Sequence, residues 1–345
     1  MSVKVLILGA NGFIGSNLTE QILQTRDWEI YGMDLNTNNI ESYLKNKRFH
    51  FKEGDITLQK DWIEEQIKNC DVILPLVAIA TPATYVQNPL RIFELDFEAN
   101  LPIIRQCLQY KKHIVFPSTS EVYGMCPDTE FKEEESNLVL GPIHKERWIY
   151  SCSKQLLDRV IYAYGAHHGL NFTLFRPFNW IGPRQDNILN IKEGGARVLP
   201  QFISNILHNK PIQLVDGGIQ RRCFTYIGDG IDALIKIIEN ANGRAKNRIF
   251  NIGNPHNNYS ICELADILIS KMKEHPTYAE KATQAKIINS ASQNYYGSGY
   301  QDVNTRVPSI ENARKYLSWE PEVDIQTALN LTLDYYLNNF TKTNK

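Results

Sequence analysis

The sequence predicts an α/β fold, a parallel sheet covered by helices on both faces, with a smaller C-terminal lobe resting on it. Three observations predict this. Short apolar runs alternate with helical segments through the first half of the 345 residues, the pattern of strands joined by crossover helices. A glycine-rich turn, Gly9-Ala10-Asn11-Gly12-Phe13-Ile14-Gly15, lies directly between the first apolar run and the first helical pattern. Past about residue 180 the alternation loosens into Gly/Pro/Asn-rich pieces, "IGPRQDN", "VDGG" and "IGNPHNN".

In order, Lys4–Leu8 is a short apolar strand, followed by a helix from about Gly12 to Gln24. Glu29–Met33 reads as the second strand, His50–Lys52 as a weak third and Asp71–Leu76 as the fourth. Residues 90–110 read as helical, His113–Pro117 as a strand, 148–168 as helical and Phe172–Phe175 as a strand. Leu199–His208, Gly230–Asn240 and Ser260–Lys273 are the short elements of the lobe, while Asn179 and Phe224–Ile227 are candidates to return to the sheet. The polar stretch at 340–345 is expected to be disordered.

With 43% hydrophobic and 22% charged residues the composition is that of a soluble globular chain. A net charge of −1 gives no basis for nucleic acid or an anionic membrane as a general partner, although local arginines can still bind a small anion. No apolar run approaches the roughly 18–20 residues that cross a bilayer. The N-terminus enters a strand without a signal-peptide layout. The six cysteines (70, 107, 126, 152, 223, 262) are scattered, with no CxxC pair and no histidine-rich neighbour. The expectation is a cytoplasmic protein with reduced, mostly buried thiols and no metal site.

The glycine turn is GxxGxxG at a strand–helix junction. Its glycines allow a tight turn and close backbone approach to a pyrophosphate, and the helix N-terminus supplies the anion site. Asp34 follows 19 residues after Gly15, at the end of the second strand. A carboxylate there accepts hydrogen bonds from a ribose diol and repels a 2′-phosphate, which favours NAD over NADP. Gly9, Asn11, Gly12, Phe13, Ile14, Gly15 and Asp34 are therefore candidate cofactor residues, with Asp55 and Ile56 expected beside the adenine. The division expected is a nucleotide-binding domain over 1–180, with segments near 224–254 returning to it, and a lobe over 181–340.

Tyr150-Ser151-Cys152-Ser153-Lys154 sets a phenol and an ammonium four residues apart, on one helix face. A tyrosine of ordinary pKa is a poor base at neutral pH. A neighbouring ammonium and a nicotinamide cation both favour its phenolate. "STSEVYG" (118–124) adds Thr119, Ser120 and Glu121 at the carboxyl end of a predicted parallel strand, where open α/β sheets bind ligands.

This set resembles the extended short-chain dehydrogenase/reductase family, whose members act mainly on nucleotide-linked sugars. The resemblance covers nearly the whole chain and implies a doubly wound Rossmann sheet with a small substrate lobe. It matches Ser120, Tyr150 and Lys154 to the catalytic hydroxyl, base and lysine, with Tyr150 and Lys154 also touching NAD. Sugar-nucleotide 4,6-dehydratases carry "STDEVYG" at this point. This chain has Ser120 at the aspartate position and keeps Glu121, which implies a reaction beyond oxidation and return, but without dehydration.

Longer stretches resemble the decarboxylase portion of the bifunctional polymyxin-resistance enzyme ArnA: "LPLVAIATP" (74–82), "FPSTSEVYGMC" (116–126), "RWIYSCSKQLLDRVIYAYG" (147–165), "FTLFRPFNWIGPR" (172–184) and "YYGSGYQDVNTRVPSI" (295–310). That subfamily oxidises UDP-glucuronic acid at C4 and releases CO2, leaving a UDP-4-keto-pentose and NADH. The resemblance implies Glu121 as the carboxylate base, Arg306 as proton donor, and Ala80, Tyr85, Thr119, Ser120, Arg147, Asn179, Arg222 and Tyr300 as UDP-sugar contacts. Read without it, Arg306 is a solvated arginine and Arg221-Arg222 a surface pair.

Two alternatives remain open at this point. UDP-xylose and apiose/xylose synthases decarboxylate the same sugar and return the hydride; the apiose type carries cysteines where this chain has Ala80 and Ser120. A non-catalytic NAD-binding regulator is the other. The polymyxin-resistance enzyme is fused to a formyltransferase, whereas this sequence opens at its cradle, so decarboxylase chemistry without that domain is expected. The family commonly pairs through the tyrosine helix and its neighbour, which implies a homodimer or higher homo-oligomer.

Overall fold

The computed structural model describes residues 2–189 and 191–343. Strand β1 (Lys4–Leu8) buries Val5 to Leu8 completely, as a strand covered on both faces must. It feeds α1 (Phe13–Thr25), β2 (Glu29–Asp34), β3 (Phe49–Glu53), α2 (Lys60–Asn69) and β4 (Val72–Pro75). Helices α3 (Pro82–Gln87) and α4 (Pro89–Phe93) each open on a proline, whose missing N–H has no partner to lose there.

A π-helical turn over Glu94–Glu98 separates α4 from α5 (Asn100–Gln109), so the single helix expected over 90–110 is broken. The cause is polar. Asp96 turns inward and its Oδ1 accepts the Ile79 N–H at 3.1 Å, while the Asn100 amide donates to the carbonyls of Leu95 and Asp96. Strand β5 (His113–Pro117), α6 (Trp148–His168) and β6 (Asn171–Pro177) complete this half.

Downstream come β7 (Trp180–Ile181), α7 (Val198–Leu207), β8 (Ile212–Val215), β9 (Arg221–Cys223), β10 (Thr225–Tyr226), α8 (Ile227–Glu239), β11 (Arg248–Ile252) and β12 (Asn258–Ser260). Then follow α9 (Ile261–Glu274), α10 (Ala279–Thr283), β13 (Ile287–Ser290), α11 (Ser292–Tyr295) and α12 (Ile325–Thr343).

Seven strands form one parallel sheet in the order β11-β6-β5-β4-β1-β2-β3. The order reverses between β1 and β4, and the carboxyl ends of those strands border the crevice where such sheets bind ligands. One face packs on α1 and α8 through Leu18, Ile22, Ile231 and Leu234. The other packs on α2, α5 and α6 through Ile63, Ile67, Ile104, Leu157 and Ile161. This is a doubly wound Rossmann-like α/β fold.

Ile310, Ala313, Leu317 and Trp319 also enter the first of these cores, and the Trp319 indole donates to the Asp229 carbonyl at 2.9 Å. The sequence reading placed no return of the chain there. A separate core unites α7, α9 and α12 around Phe202, Ile206, Leu264, Leu268, Leu329 and Leu333. Helix α9 starts from a complete capping box, with Ser260 and Glu263 each accepting the other's N–H.

Helix α12 continues through Thr343, so the disorder expected at 340–345 does not hold for 340–343. The Phe340 ring meets His208 and Tyr278 edge-on, which gives the helix end a packing partner. Residues 344–345 lie outside the described residues. No helix among the described residues is long and apolar enough to cross a membrane.

Candidate active site

The cradle is built where β1 gives way to α1. Gly9 has a φ of 93°, which lets the chain turn sharply while its N–H and that of Ala10 donate to the Met33 carbonyl. A Cβ on Gly15 would stand 2.1 Å from the Gly9 carbonyl oxygen, so only glycine lets α1 seat against the turn. No side chain caps the start of α1 at Gly12. At the end of β2, Asp34 accepts the Asn11 N–H at 2.8 Å and the Leu35 N–H at 2.7 Å. Each carboxylate oxygen keeps a further lone pair for a ribose hydroxyl. Burial pushes the Asp34 carboxyl up and these N–H groups oppose it.

Asn11 is held in turn by Asn39 and Asn36. At the end of β3, Asp55 accepts both the N–H and hydroxyl of Thr57, and the following Ile56 is buried. An uncapped helix start, a turn that excludes a Cβ and an acidic ribose acceptor fit a dinucleotide.

Across the switch, β5 ends at Pro117 and a 3-10 turn runs over Ser120–Tyr123. Thr119 Oγ1 accepts the Glu121 N–H at 3.2 Å. Ser120 is buried next to it. The Tyr150 ring stacks on Tyr85 with centroids 4.7 Å apart. Lys154 Nζ donates to the Pro117 carbonyl at 2.9 Å, over the face of Phe116.

Burial pushes the Tyr150 phenol above its ordinary value, and Asp96 and Glu121 push it further; Thr119 and Arg197 pull the other way. The sequence expectation was a phenol brought down by Lys154 and a nicotinamide cation together. The Lys154 ammonium donates to Pro117 and also feels the charges of Asp96 and Asp158. Burial pushes Lys154 down, and those two carboxylates oppose it.

The most charged part of the site surrounds Glu121. Arg147 Nη2 lies 3.1 Å from one carboxylate oxygen and Arg306 Nη1 3.2 Å from the other. Asp302 accepts Arg222 Nη2 at 2.6 Å and the Tyr300 hydroxyl at 3.0 Å, with Arg306 Nη2 at 3.6 Å. The Arg147 guanidinium is flanked by the Trp148 ring at 4.5 Å and the Tyr300 ring at 5.6 Å.

All three arginines are buried, at 1%, 7% and 3% exposure for Arg147, Arg222 and Arg306, so neither Arg222 nor Arg306 is the surface residue that an isolated reading suggests. Burial alone would raise the Glu121 carboxyl, but Arg147 and then Arg306 overcome it and hold the group below the ordinary carboxylate range. Three guanidiniums against two carboxylates leave one positive charge in excess. Arg147 Nε and Nη1 and Arg306 Nε are buried without a hydrogen-bond partner among the described residues. Buried cationic donors left open in this way suit an anionic ligand.

The structure therefore brings Tyr85, Thr119, Ser120, Glu121, Arg147, Tyr150, Lys154, Arg222, Tyr300 and Arg306 to one place. Ala80 and Asn179 have no described contact with the Glu121 cluster. Asn179 adopts a left-handed backbone (φ 43°), and its buried side-chain Nδ2 has no partner among the described residues.

Sequence reasoning missed Asp96, Arg197 and Asp302. Arg197 pairs with Asp186 and lies 5.2 Å over the Phe13 ring of the cradle. Asp302 was visible only as a carboxylate four residues before Arg306 in "YQDVNTR".

A dinucleotide cradle on one side of the switch and a threonine–tyrosine–lysine set on the other define an NAD-dependent enzyme of the nucleotide-sugar type. The chain belongs to the NAD dependent epimerase/dehydratase family, whose model matches residues 5–253, and NAD is its cofactor. Among solved structures it is similar to the PbgP3 protein of Burkholderia pseudomallei, at 54% identity over 99% of this chain and 98% of that one, with a TM-score of 0.90. The fold is also that of the UDP-glucuronic acid 4-epimerase of Bacillus cereus, solved with UDP-glucuronic acid and NAD (23% identity, 98% and 100% of the chains, TM-score 0.82). It is likewise that of the dTDP-glucose 4,6-dehydratase of Bacillus anthracis (22% identity, all of both chains, TM-score 0.80).

Proposed function

We propose that this chain oxidises UDP-glucuronic acid at C4 and decarboxylates the product, giving a UDP-4-keto-pentose and NADH. One observation carries the reading: a largely buried glutamate clamped between two arginines beside the tyrosine–lysine pair. Oxidation and return at C4 asks for a base alone, whereas loss of a carboxylate also asks for cations at the reacting end of the sugar. The resemblance of five long sequence stretches to a UDP-glucuronate decarboxylase supports the same substrate.

Gly9, Asn11, Gly12, Phe13, Ile14, Gly15 and Asp34 hold the NAD, with Asp55 and Ile56 at its adenine. Bound NAD supplies the hydride acceptor. Thr119 and Ser120 hold the C4 hydroxyl, and Tyr150 takes its proton. Lys154 compensates the phenolate. The C4 ketone makes the sugar a β-keto acid, so the electrons of the breaking C5–C6 bond pass into an enolate over C5 and C4 as CO2 leaves. Arg147 and Arg306 lower the cost of that negative charge. Arg306 then gives a proton to C5, which restores the ketone, and Glu121 returns it to the guanidinium from solvent. Arg222 binds diphosphate oxygens in a two-pronged fashion, and Ala80, Tyr85, Asn179 and Tyr300 line the UDP-sugar.

In the same reading, residues 1–180 with 224–254 form the NAD-binding domain and 181–340 mainly the UDP-sugar lobe. The protein works in the cytoplasm as a homodimer or higher homo-oligomer. The test is NADH absorbance with purified protein, NAD and UDP-glucuronic acid, followed by mass analysis of the sugar nucleotide. Rising NADH with a ketopentose is the expected result. A flat trace with UDP-xylose would replace this reading with hydride return, and unchanged substrate would remove UDP-glucuronic acid.

A further inference from the structure

The turn that carries Thr119, Ser120 and Glu121 is tied to its surroundings by a buried polar chain that none of the chemistry above uses. On α6, Tyr150, Lys154 and Asp158 recur every four residues and so share one face. Lys154 holds the Pro117 carbonyl, and one turn further on Asp158 Oδ2 accepts the Ser118 hydroxyl at 2.7 Å. The same oxygen takes Arg176 Nη2 of β6 at 3.2 Å. Arg176 Nη1 donates to the Tyr123 hydroxyl at 2.8 Å, and Tyr123 donates to Asn251 Oδ1 of β11 at 2.8 Å. Gln155, also on α6, donates to the Val122 carbonyl at 2.7 Å. Thus Pro117, Ser118, Val122 and Tyr123 are gripped from outside, and the three functional residues lie between them.

Asp158 and Arg176 are 4% and 3% exposed, and Asp158 Oδ1 and Arg176 Nε have no hydrogen-bond partner among the described residues. A buried ion pair left partly unsatisfied contributes little to stability compared with an apolar pair of similar volume. What it does provide is fixed geometry. We propose that Asp158 and Arg176 are positioning residues that set the spacing between α6, with its Tyr150 and Lys154, and the turn that bears Thr119, Ser120 and Glu121.

The kinetic part of the test rests on the proposed decarboxylase activity; the exchange part does not. The double variant Asp158→Leu with Arg176→Met removes both charges together, and Ser118→Ala cuts one tether while leaving the pair intact. Each is compared with the wild type in kcat, KM for NAD, melting temperature and hydrogen exchange of residues 118–124. The expected result is a double variant that melts near the wild type, exchanges faster over 118–124, and loses about 100-fold in kcat with KM for NAD within about threefold. Ser118→Ala should move the same way by about tenfold.

A kcat within twofold of wild type in both variants would overturn the proposal. So would a kcat that falls only with the folded fraction while exchange over 118–124 stays unchanged. If the double variant does not fold, Ser118→Ala decides by the same criteria. If the wild type does not turn over UDP-glucuronic acid, the functional reading fails and the exchange comparison alone decides the positioning role.

Discussion

Tyr150 sits among groups that oppose its ionisation, with burial, Asp96 and Glu121 all raising the phenol. Its basicity toward substrate therefore depends on the opposing pull of Thr119 and Arg197, on Lys154 and on the cationic cofactor ring. Tyr150→Phe should lower NADH formation by on the order of 10^3-fold and leave NAD affinity nearly unchanged, as steady-state rates and a binding titration would show. Arg306→Met should cut CO2 release by on the order of 10^2-fold with NAD binding intact, and normal CO2 release would remove the arginine from its role. Asp96 gives a pH signature. Burial pushes its carboxyl from 3.8 up to about 6, so the folded protein holds that proton more tightly than the unfolded chain. The resulting destabilisation grows as pH rises from 3.8 and is complete above about 6, where two units at roughly 1.4 kcal/mol each make about 3 kcal/mol. Asp96→Asn keeps an acceptor for Ile79 and should outlast the wild type in urea at pH 8 by up to that amount, with the gap closing as pH falls toward 4. An equal gap at both ends would clear Asp96. Residues such as Tyr150, Lys154 and Glu121 were legible because their motifs are contiguous in sequence. Asp96 and Asp302 were not, since their meaning comes from neighbours far along the chain.

Elements were read well where periodicity alone decides them. Strand β1 and helix α6 carry uninterrupted apolar patterns, and their observed limits fall within a residue of the expected ones. The failure over 90–110 has a physical source: one inward carboxylate and one amide impose a π turn that leaves the apolar spacing almost unchanged. The end of α12 was misjudged for a similar reason, because one ring at Phe340 outweighs a polar tail. The junction of β1 with α1 allows a sharp test. Gly15→Ala places a methyl group 2.1 Å from the Gly9 carbonyl oxygen, so the helix must move off the turn. NAD affinity should fall at least 10-fold, and the melting temperature should drop with it. Unchanged NAD affinity would mean that the cradle is not where the dinucleotide binds.

At the scale of the molecule, the parallel sheet and its two covered faces followed from the alternation of strand and helix, but the strand order did not. Placing β11 at the edge beside β6, and Ile310 to Trp319 beneath α8, requires contacts between residues far apart in sequence. Trp319 is 1% exposed and hydrogen-bonded to Asp229, so Trp319→Ala should cost about 3–5 kcal/mol of stability by denaturant titration. A loss under 1 kcal/mol would show that this return packs only loosely. The late arrival of β11 also matters during synthesis. After β6 leaves the ribosome at Pro177, its free edge has no partner until residues 248–252 emerge, and the core beneath α8 stays open until Trp319 follows. At about 5–20 residues per second, that interval is on the order of ten seconds. Throughout it, the nascent chain presents an unpaired strand edge and a bare apolar face, the surfaces that a ribosome-bound chaperone covers.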